Sequence, residues 1–507
     1  MLAYLLTVNF RPLVGALGAS LHFTALHPAA AQLPALRIAA DSATLETTDG
    51  EPFLWLGDTA WELLHRLDSA EVRRYLDARA AQGVNLVQTV GLAELEGLTI
   101  PNANGDLPLV DLDPARLNEP YWAYVDWVLG ELADREMYAG FLPTWGDKFN
   151  LAWGVGPEVF TPANAEAFAR ALGERYADRS HLVWVLGGDR WPEDDEDRAI
   201  IEATARGLLA GGAEQLITYH PNGARRATEY FDADWLDFDM FQTGHDRRQL
   251  DFAYVRASRE GSARRRPVVN AEPRYEDHPD RFDQTAHEWM GAADVRQAAY
   301  WTFLAGGAGF TYGSHDTWQM WAPGRDAING ARRAWWAALQ LPGAEQLRHV
   351  RTLLAATGWP QWRPAANVLA VDSVDVAAPA FLAGAQPTPG LPAAGARGTL
   401  ADSVRTLAVV AGDGELVVAF TPYGHPVRLL RERLPEPLRA AEPEALWFNP
   451  RDGTVVPTQA AGEAPAGELT YAPWSRGWGS DFVLVVGTAE ALAGVRDGLT
   501  EALQPSR

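Results

Sequence analysis

An eightfold β/α barrel followed by an antiparallel β-sandwich is the fold class that the sequence predicts. Three observations carry it. Short β-rich runs alternate with helical patterns eight times between residues 53 and 312. That interval matches the ~250 residues of an eight-stranded barrel. After about residue 354 the helical periodicity gives way to short alternating runs separated by Gly, Pro and Asp, the pattern of antiparallel strands.

The elements follow in order. Residues 1–31 read as an export signal: Arg11 precedes an apolar stretch over 13–26, and the small residues Ala29 and Ala31 fit a cleavage site. This predicts a secreted or periplasmic bacterial protein. Residues 32–52 form a lead-in strand, and 53–354 the barrel. Its strands are expected at 53–56, 84–90, 138–142, 182–186, 216–219, 238–241, 267–270 and 309–312. Helical patterns at 69–82, 121–135, 162–177 and 197–209 lie between them. Asp68 or Ser69 can cap the first helix and Gly83 can end it. No Gly-rich phosphate fingerprint follows the first strand, which disfavours an open doubly wound sheet. Residues 355–487 form the sandwich, with strands at 367–371, 407–410, 416–420 and 482–486 around an Ala/Pro/Gly-rich loop at 374–398. Residues 488–507 read as a weak helix or frayed tail. Each part has its own strand pattern, so a cut near Gly358 is expected to leave a folded barrel.

Composition narrows the function. Hydrophobic residues make up 47% of the 507 and charged residues 21%, as in a folded soluble protein. A net charge of −23 excludes nonspecific nucleic-acid binding, which depends on neutralising phosphates. No run after the leader approaches the ~20 apolar residues of a membrane span. The absence of cysteine excludes disulfides, zinc-thiolate sites and a thiol nucleophile. The 20 tryptophans supply flat apolar faces suited to cores or to stacking on sugar rings.

In such a barrel the chemistry sits at the carboxyl ends of the strands. Seven of the eight predicted ends carry polar and aromatic clusters: GDTAW at 57–61, PTWGDK at 143–148, GGDRW at 187–191, HPNG at 220–223, QTGHD at 242–246, NAEPRYE at 270–276 and YGSHD at 312–316. Glycoside hydrolysis needs two carboxyl groups flanking the scissile bond. Asp189 after strand four and Glu272 after strand seven form the best pair. A helix cap for Asp189 and a surface ion pair for Glu272 are the competing readings of the spacing.

The stretch FLWLGDTAWELLHRLDSAEVRRYLDARAAQGVNLVQ resembles the opening of the apiosidase-like family, glycoside hydrolase family 140, as do VWVLGGDRW, ITYHPNG, VVNAEPRYE and YWTFLAGGAGFTYG. The segments from ALWFNPRDG to DFVLVV resemble the collagen-binding-type β-sandwich appended to that family. The resemblance implies Asp189 as acid/base and Glu272 as nucleophile, with no cofactor and no metal. It also implies an oligo- or polysaccharide substrate, cleaved at apiose-type furanoside linkages in the rhamnogalacturonan side chains of plant pectin. Asp58, His220, Asn222, Gln242 and Tyr312 are expected around the reacting sugar. Trp61, Trp145, Trp191, Trp318 and Trp321 fit either sugar stacking or packing on the rim. Lys148, Arg190 and Arg274 are the cations that could offset the negative charge towards an anionic pectin. His220, His245 and His315 fit hydroxyl contacts better than any standard metal motif, and the acidic run 193–197 fits a solvated helix start better than a calcium site. A same-fold enzyme of other specificity, such as an arabinofuranosidase, and a noncatalytic carbohydrate- or matrix-binding protein are the rival readings.

Overall fold

The computed structural model describes residues 32–261, 264–285, 289–370, 404–461 and 467–502. The expected export signal and the loop at 374–398 lie outside them. Eight parallel strands form the barrel: β1 (Trp55–Thr59), β2 (Leu86–Leu92), β3 (Tyr138–Thr144), β4 (Leu182–Gly187), β5 (Ile217–His220), β6 (Asp239–Gln242), β7 (Val268–Glu272) and β8 (Gly309–Tyr312). Each pairs with its sequence neighbour, and β8 returns to β1 with Gly309 opposite Trp55 and Tyr312 opposite Asp58. Between β5 and β6 the ladder is open. There the Asp237 N–H donates to the Ile217 carbonyl at 2.9 Å, and Thr218 Oγ1 donates to the Phe238 carbonyl at 2.8 Å. The strands are buried along their whole length, as expected for parallel strands covered on both faces.

Seven helices cover the barrel: α1 (Ser69–Ala81), α2 (Glu119–Ala133), α3 (Pro162–Tyr176), α4 (Asp195–Ala210), α5 (Asp251–Gly261), α6 (Ala292–Leu304) and α7 (Pro342–Ala356). Asp68 starts α1 by accepting from the Ala70 and Glu71 N–H groups, both at 2.9 Å, while Glu71 accepts from the Asp68 N–H. Asp194 caps α4 in the same way, so the acidic run sits at the positive end of a helix. No α-helix follows β5. Pro221, Gly223 and the aspartates at 232 and 234 interrupt that segment, and Arg225–Arg226 instead adds a short antiparallel strand beside β6.

The lead-in is not one strand but a small antiparallel sheet, Leu36–Ile38, Leu45–Thr47 and Pro52–Phe53. Leu36, Leu45 and Phe53 join the apolar cluster inside the barrel, and Phe53 packs edge-on to Tyr138 at the start of β3. The sheet therefore closes the end of the barrel opposite the strand carboxyl termini.

The C-terminal part is a six-stranded antiparallel sheet in the order β9 (Arg363–Pro364), β10 (Leu407–Ala411), β11 (Leu416–Thr421), β16 (Phe482–Gly487), β13 (Glu444–Phe448) and β14 (Val455–Thr458). A two-stranded ribbon, β12 (Val427–Leu430) and β15 (Glu468–Tyr471), covers one face. Alternation along β11 explains both faces. Val417 and Ala419 point to the ribbon cluster, while Val418 and Phe420 join the core of the barrel. The expected strand at 367–371 is instead a short turn, Ala366–Val368, and a single bridge from Leu369 to Leu429. Residues Ala489–Ala502 form α8, which buries Leu492, Val495 and Leu499 and approaches α7 at Ala356.

Candidate active site

A cavity of about 530 Å³ opens at the carboxyl ends of the strands. β4 delivers Asp189 to it through Gly187 and Gly188, both at φ +93°. A Cβ on Gly187 would lie 2.6 Å from the His220 carbonyl oxygen, and one on Gly188 would lie 2.8 Å from the Gly146 nitrogen. Glycine is therefore required twice, and it leaves Asp189 in the left-handed region at φ +57°.

Glu272 ends β7, and Gln242 lies beside it at the end of β6 across a register shift. The Gln242 Nε2 group donates to Asp189 Oδ1 at 2.9 Å and to Glu272 Oε2 at 3.0 Å. Those two oxygens can therefore be no farther apart than the two contacts laid end to end, about 6 Å. Asp189 Oδ2 accepts from the Trp153 indole N–H at 3.0 Å. Glu272 Oε2 lies 3.1 Å from His220 Nε2, and its Oε1 lies 3.4 Å from His245 Nε2.

These surroundings separate the two carboxyl groups electrically. Burial and the neighbouring Glu272 charge raise the Asp189 pKa, with Arg190 and the Gln242 amide opposing them. Burial also works against ionisation of Glu272, but His220 and His245 outweigh it and hold that carboxyl at about 2. One carboxyl is thus biased to keep a proton and the other to lose it, the division that acid/base catalysis requires.

Of the residues expected at the site, Trp61, Trp145, Asp189, Gln242, His245 and Glu272 line the cavity, as does Trp318. His220 stands just behind, against Glu272 and the Trp61 ring. Several others are placed elsewhere. Asp58 is fully buried and accepts from Tyr75 and from Arg79 Nε on α1, so it ties β1 to the helix layer. Tyr312 points the same way and donates to Glu276 Oε2 at 2.7 Å. Glu276 in turn accepts from the Gly343 N–H at the start of α7. Asn222 accepts from the Tyr230 hydroxyl at 2.7 Å, and His315 packs on His278 with its Nε2 3.2 Å from the Asn329 carbonyl.

The three cations expected to meet an anionic substrate are also engaged inside the protein. Lys148 donates to Asp147 at 2.7 Å, Arg274 pairs with Asp251, and Arg190 donates to the Asn150 and Asp189 carbonyls. All three are buried and none lines the cavity. Trp191 reaches the site only through Trp153, 5.3 Å from it, and Trp321 donates to the Arg325 carbonyl. Among the described residues no three His, Asp or Glu side chains are arranged to hold a metal ion.

The cavity wall also holds Tyr275 from the cluster at 270–276, and Glu94, Trp153 and His278, which the strand-end clusters did not contain. Burial and the nearby Asp147 push the Glu94 carboxyl up to about 8, with Arg190 opposing. Glu94 lies two residues past the end of β2. That strand continues to Leu92, beyond the expected 84–90, so its functional rim was hidden by the apolar run Gly91-Leu92-Ala93.

Residues 39–361 match the family described as the apiosidase-like catalytic domain. The chain belongs to the apiosidase-like family. It is a glycoside hydrolase, and its substrate is a carbohydrate. Residues 399–487 of this apiosidase-like chain match a collagen-binding-like domain of a collagenase. No curated protein matches. A solved structure described as a glycoside hydrolase superposes with a TM-score of 0.75 at 24% identity, covering 90% of this chain and 97% of its own. A glycoside hydrolase family 5 structure from Bacteroides vulgatus superposes with the same TM-score at 25% identity, covering 90% and 94%. Among the described residues, no helix of the apiosidase-like chain is long and apolar enough to cross a membrane.

Proposed function

We propose that the chain hydrolyses apiose-type furanosidic linkages in pectic side chains, with retention at the anomeric carbon. Asp189 is the acid/base and Glu272 the nucleophile. The observation that carries the reading is the single Gln242 nitrogen in contact with both carboxylates. With the facing oxygens Asp189 Oδ1 and Glu272 Oε2 at most about 6 Å apart, the pair favours the ~5–5.5 Å separation of retaining enzymes over the ~6.5–9.5 Å of inverting ones.

Glu272 attacks the anomeric carbon as the glycosidic bond breaks, and Asp189 gives its proton to the departing oxygen. In the second step Asp189 takes a proton from water, the oxygen of that water bonds to the anomeric carbon, and Glu272 leaves. His220 and His245 keep the nucleophile ionised, and Gln242 fixes both carboxylates. Trp61, Trp145 and His245 wall the reacting sugar.

The specificity rests on the family, and the wider assignment follows the sequence. The chain is a bacterial member of glycoside hydrolase family 140, exported by residues 1–31. Its barrel spans 53–354, and its β-sandwich at 355–487 contacts polysaccharide or matrix. Proton NMR of the first-formed sugar from 4-nitrophenyl β-D-apiofuranoside and from pectic side-chain oligosaccharides tests the reading. The expected product is β-apiose. An α-anomer would exclude double displacement, and release of arabinose alone would move the specificity to arabinofuranosides.

A further inference from the structure

The ends of three adjacent strands, β1, β2 and β3, place Trp61, Glu94 and Trp145 on one arc of the cavity wall. The two indoles lie together, with ring centroids 5.0 Å apart, and Trp61 stands edge-on to His220, whose Nε2 is 3.1 Å from Glu272. That arc is therefore the wall next to the nucleophile, where the ring under attack must lie. Four carboxyl groups line the cavity. Gln242 bridges Asp189 and Glu272, and Asp246 pairs with Arg248. Among the described residues, no hydrogen bond or ion pair reaches the carboxyl group of the fourth, Glu94.

The backbone that carries Glu94 is fixed on both sides. The Leu95 N–H donates to the buried Glu62 at 3.0 Å, and the Glu94 carbonyl accepts from the Glu96 N–H at 2.8 Å and from Lys148 Nζ at 3.4 Å. The turn is tight: a Cβ on Gly97 would lie 2.7 Å from the Ala93 carbonyl oxygen. The carboxyl group thus stands on a rigid support with its own hydrogen-bonding capacity unused. Such a group is costly to leave unpaired once a ligand displaces water, so the ligand must supply the partner. Its surroundings set its form. Burial and Asp147 favour the neutral acid, Arg190 opposes them, and Asp189 and Glu62 add to them, while Lys148 is taken by Asp147 at 2.7 Å. A neutral carboxyl group offers an O–H donor and a carbonyl acceptor, and a sugar hydroxyl can meet either.

We propose that Glu94 is a substrate-binding residue of the active site, whose carboxyl group donates a hydrogen bond to a hydroxyl group of the reacting sugar. This rests on Asp189 and Glu272 as the reacting pair, but not on which sugar they act on. Glu94 thereby has a different task from the other two carboxyl groups: it holds the ring, and they break and remake the bond.

Kinetics of the full chain on 4-nitrophenyl β-D-apiofuranoside and 4-nitrophenyl α-L-arabinofuranoside test it, with wild type, Glu94→Ala and Glu94→Gln. The reacting sugar is the one sugar in these donors. The amide keeps a donor and an acceptor on the same skeleton, and alanine keeps neither. On whichever donor is turned over, Glu94→Ala is expected to lose about tenfold in kcat/KM, and Glu94→Gln to recover most of that loss. Circular dichroism checks that both variants fold. Equal kcat/KM of wild type and Glu94→Ala would overturn the proposal, as would a Glu94→Gln enzyme no better than Glu94→Ala, which would mean that the sugar needs the ionised group. A loss seen with pectic oligosaccharides and absent from the aryl donors would put the contact on the leaving-group side and also overturn it. Turnover of the arabinoside alone, with the expected loss in Glu94→Ala, would remove the apiose specificity and keep Glu94. If neither donor is turned over, the proposed function falls, and carbon-13 NMR of the Glu94 carboxyl, assigned by its absence from Glu94→Gln, decides for Glu94. Titration near 8 keeps the hydrogen-bond donor, and titration in the ordinary carboxylate range overturns it.

Discussion

Arg296 on α6 holds Asp481 through two hydrogen bonds, Nε to Oδ2 at 2.8 Å and an Nη to Oδ1 at 2.6 Å, with both side chains buried between the barrel and the C-terminal sheet. The pair sits in an apolar interface. Tyr300 stacks on Phe420 with centroids 4.8 Å apart, and the Trp301 indole donates to the Arg405 carbonyl. Removing Asp481 strands a guanidinium in that interface. Asp481→Ala is expected to lower stability by about 3–5 kcal/mol, the usual cost of leaving one half of a buried pair. Denaturant unfolding followed by circular dichroism measures it, and a loss below about 1 kcal/mol would mean that water reaches the site.

The same interface bears on the barrel alone. The strand pattern suggests that a chain ending at Gly358 folds independently, but the cut would uncover Tyr300, Phe303, Leu347 and Leu354, which are part of one apolar core with β10, β11 and β16. Residues 32–358 are therefore expected to aggregate or to lack native near-ultraviolet circular dichroism. A soluble, native-like fragment would show that the sheet adds little to the barrel.

The pH profile follows from the opposed shifts of the two carboxyl groups. Activity needs Glu272 ionised and Asp189 protonated. With Glu272 held at about 2, kcat/KM should stay high well into acid and fall on the alkaline side as Asp189, raised by burial and by Glu272, loses its proton. His220→Phe removes a group that favours the ionised nucleophile, so the acid limb is expected to move to higher pH. Asp189→Asn should abolish the alkaline limb and depress poor leaving groups far more than activated aryl glycosides. Profiles of kcat/KM on both substrate types measure these limbs. An acid limb unmoved in His220→Phe would mean that His220 does not set the Glu272 charge.

Much of this fold is legible in the sequence because parallel strands buried on both faces read as short apolar runs, and Gly309–Tyr312 falls where expected. Other strands extend one to three residues past the expected ends, and in β5, β6 and β7 the added residues include His220, Gln242 and Glu272 of the site. What the runs do not show is which way each polar residue points. Side chains alternate along a strand. Asp58 and Tyr312 face each other across the β1–β8 ladder, and both turn outward towards Arg79, whereas Gln242 and Glu272 turn inward. A cluster at a strand end thus mixes helix-binding and cavity residues. Trp153 was less legible still, because eight residues, 145–152, separate it from the end of β3.

Gly188 offers a test of how tightly the acid must be placed. Alanine there meets two penalties. Its backbone sits at φ +93°, which side-chain-bearing residues rarely adopt, and its Cβ would lie 2.8 Å from the Gly146 nitrogen and 3.0 Å from the Trp145 Cα. Both contacts are with backbone atoms, which cannot swing aside as a side chain would. The turn must therefore shift, and Asp189 with it, away from the Trp153 and Gln242 hydrogen bonds. Strain of this kind costs about 1–3 kcal/mol of stability, which a barrel of this size should survive. Catalysis should suffer more, since a displacement of about 1 Å can cost about 100-fold. Gly188→Ala is expected to stay folded and to lose most of its kcat on substrates with poor leaving groups. On activated aryl glycosides, where no proton is needed, the loss should be much smaller. An equal loss on both would mean that the shift carries Glu272 along through Gln242, and that the amide couples the two carboxylates mechanically.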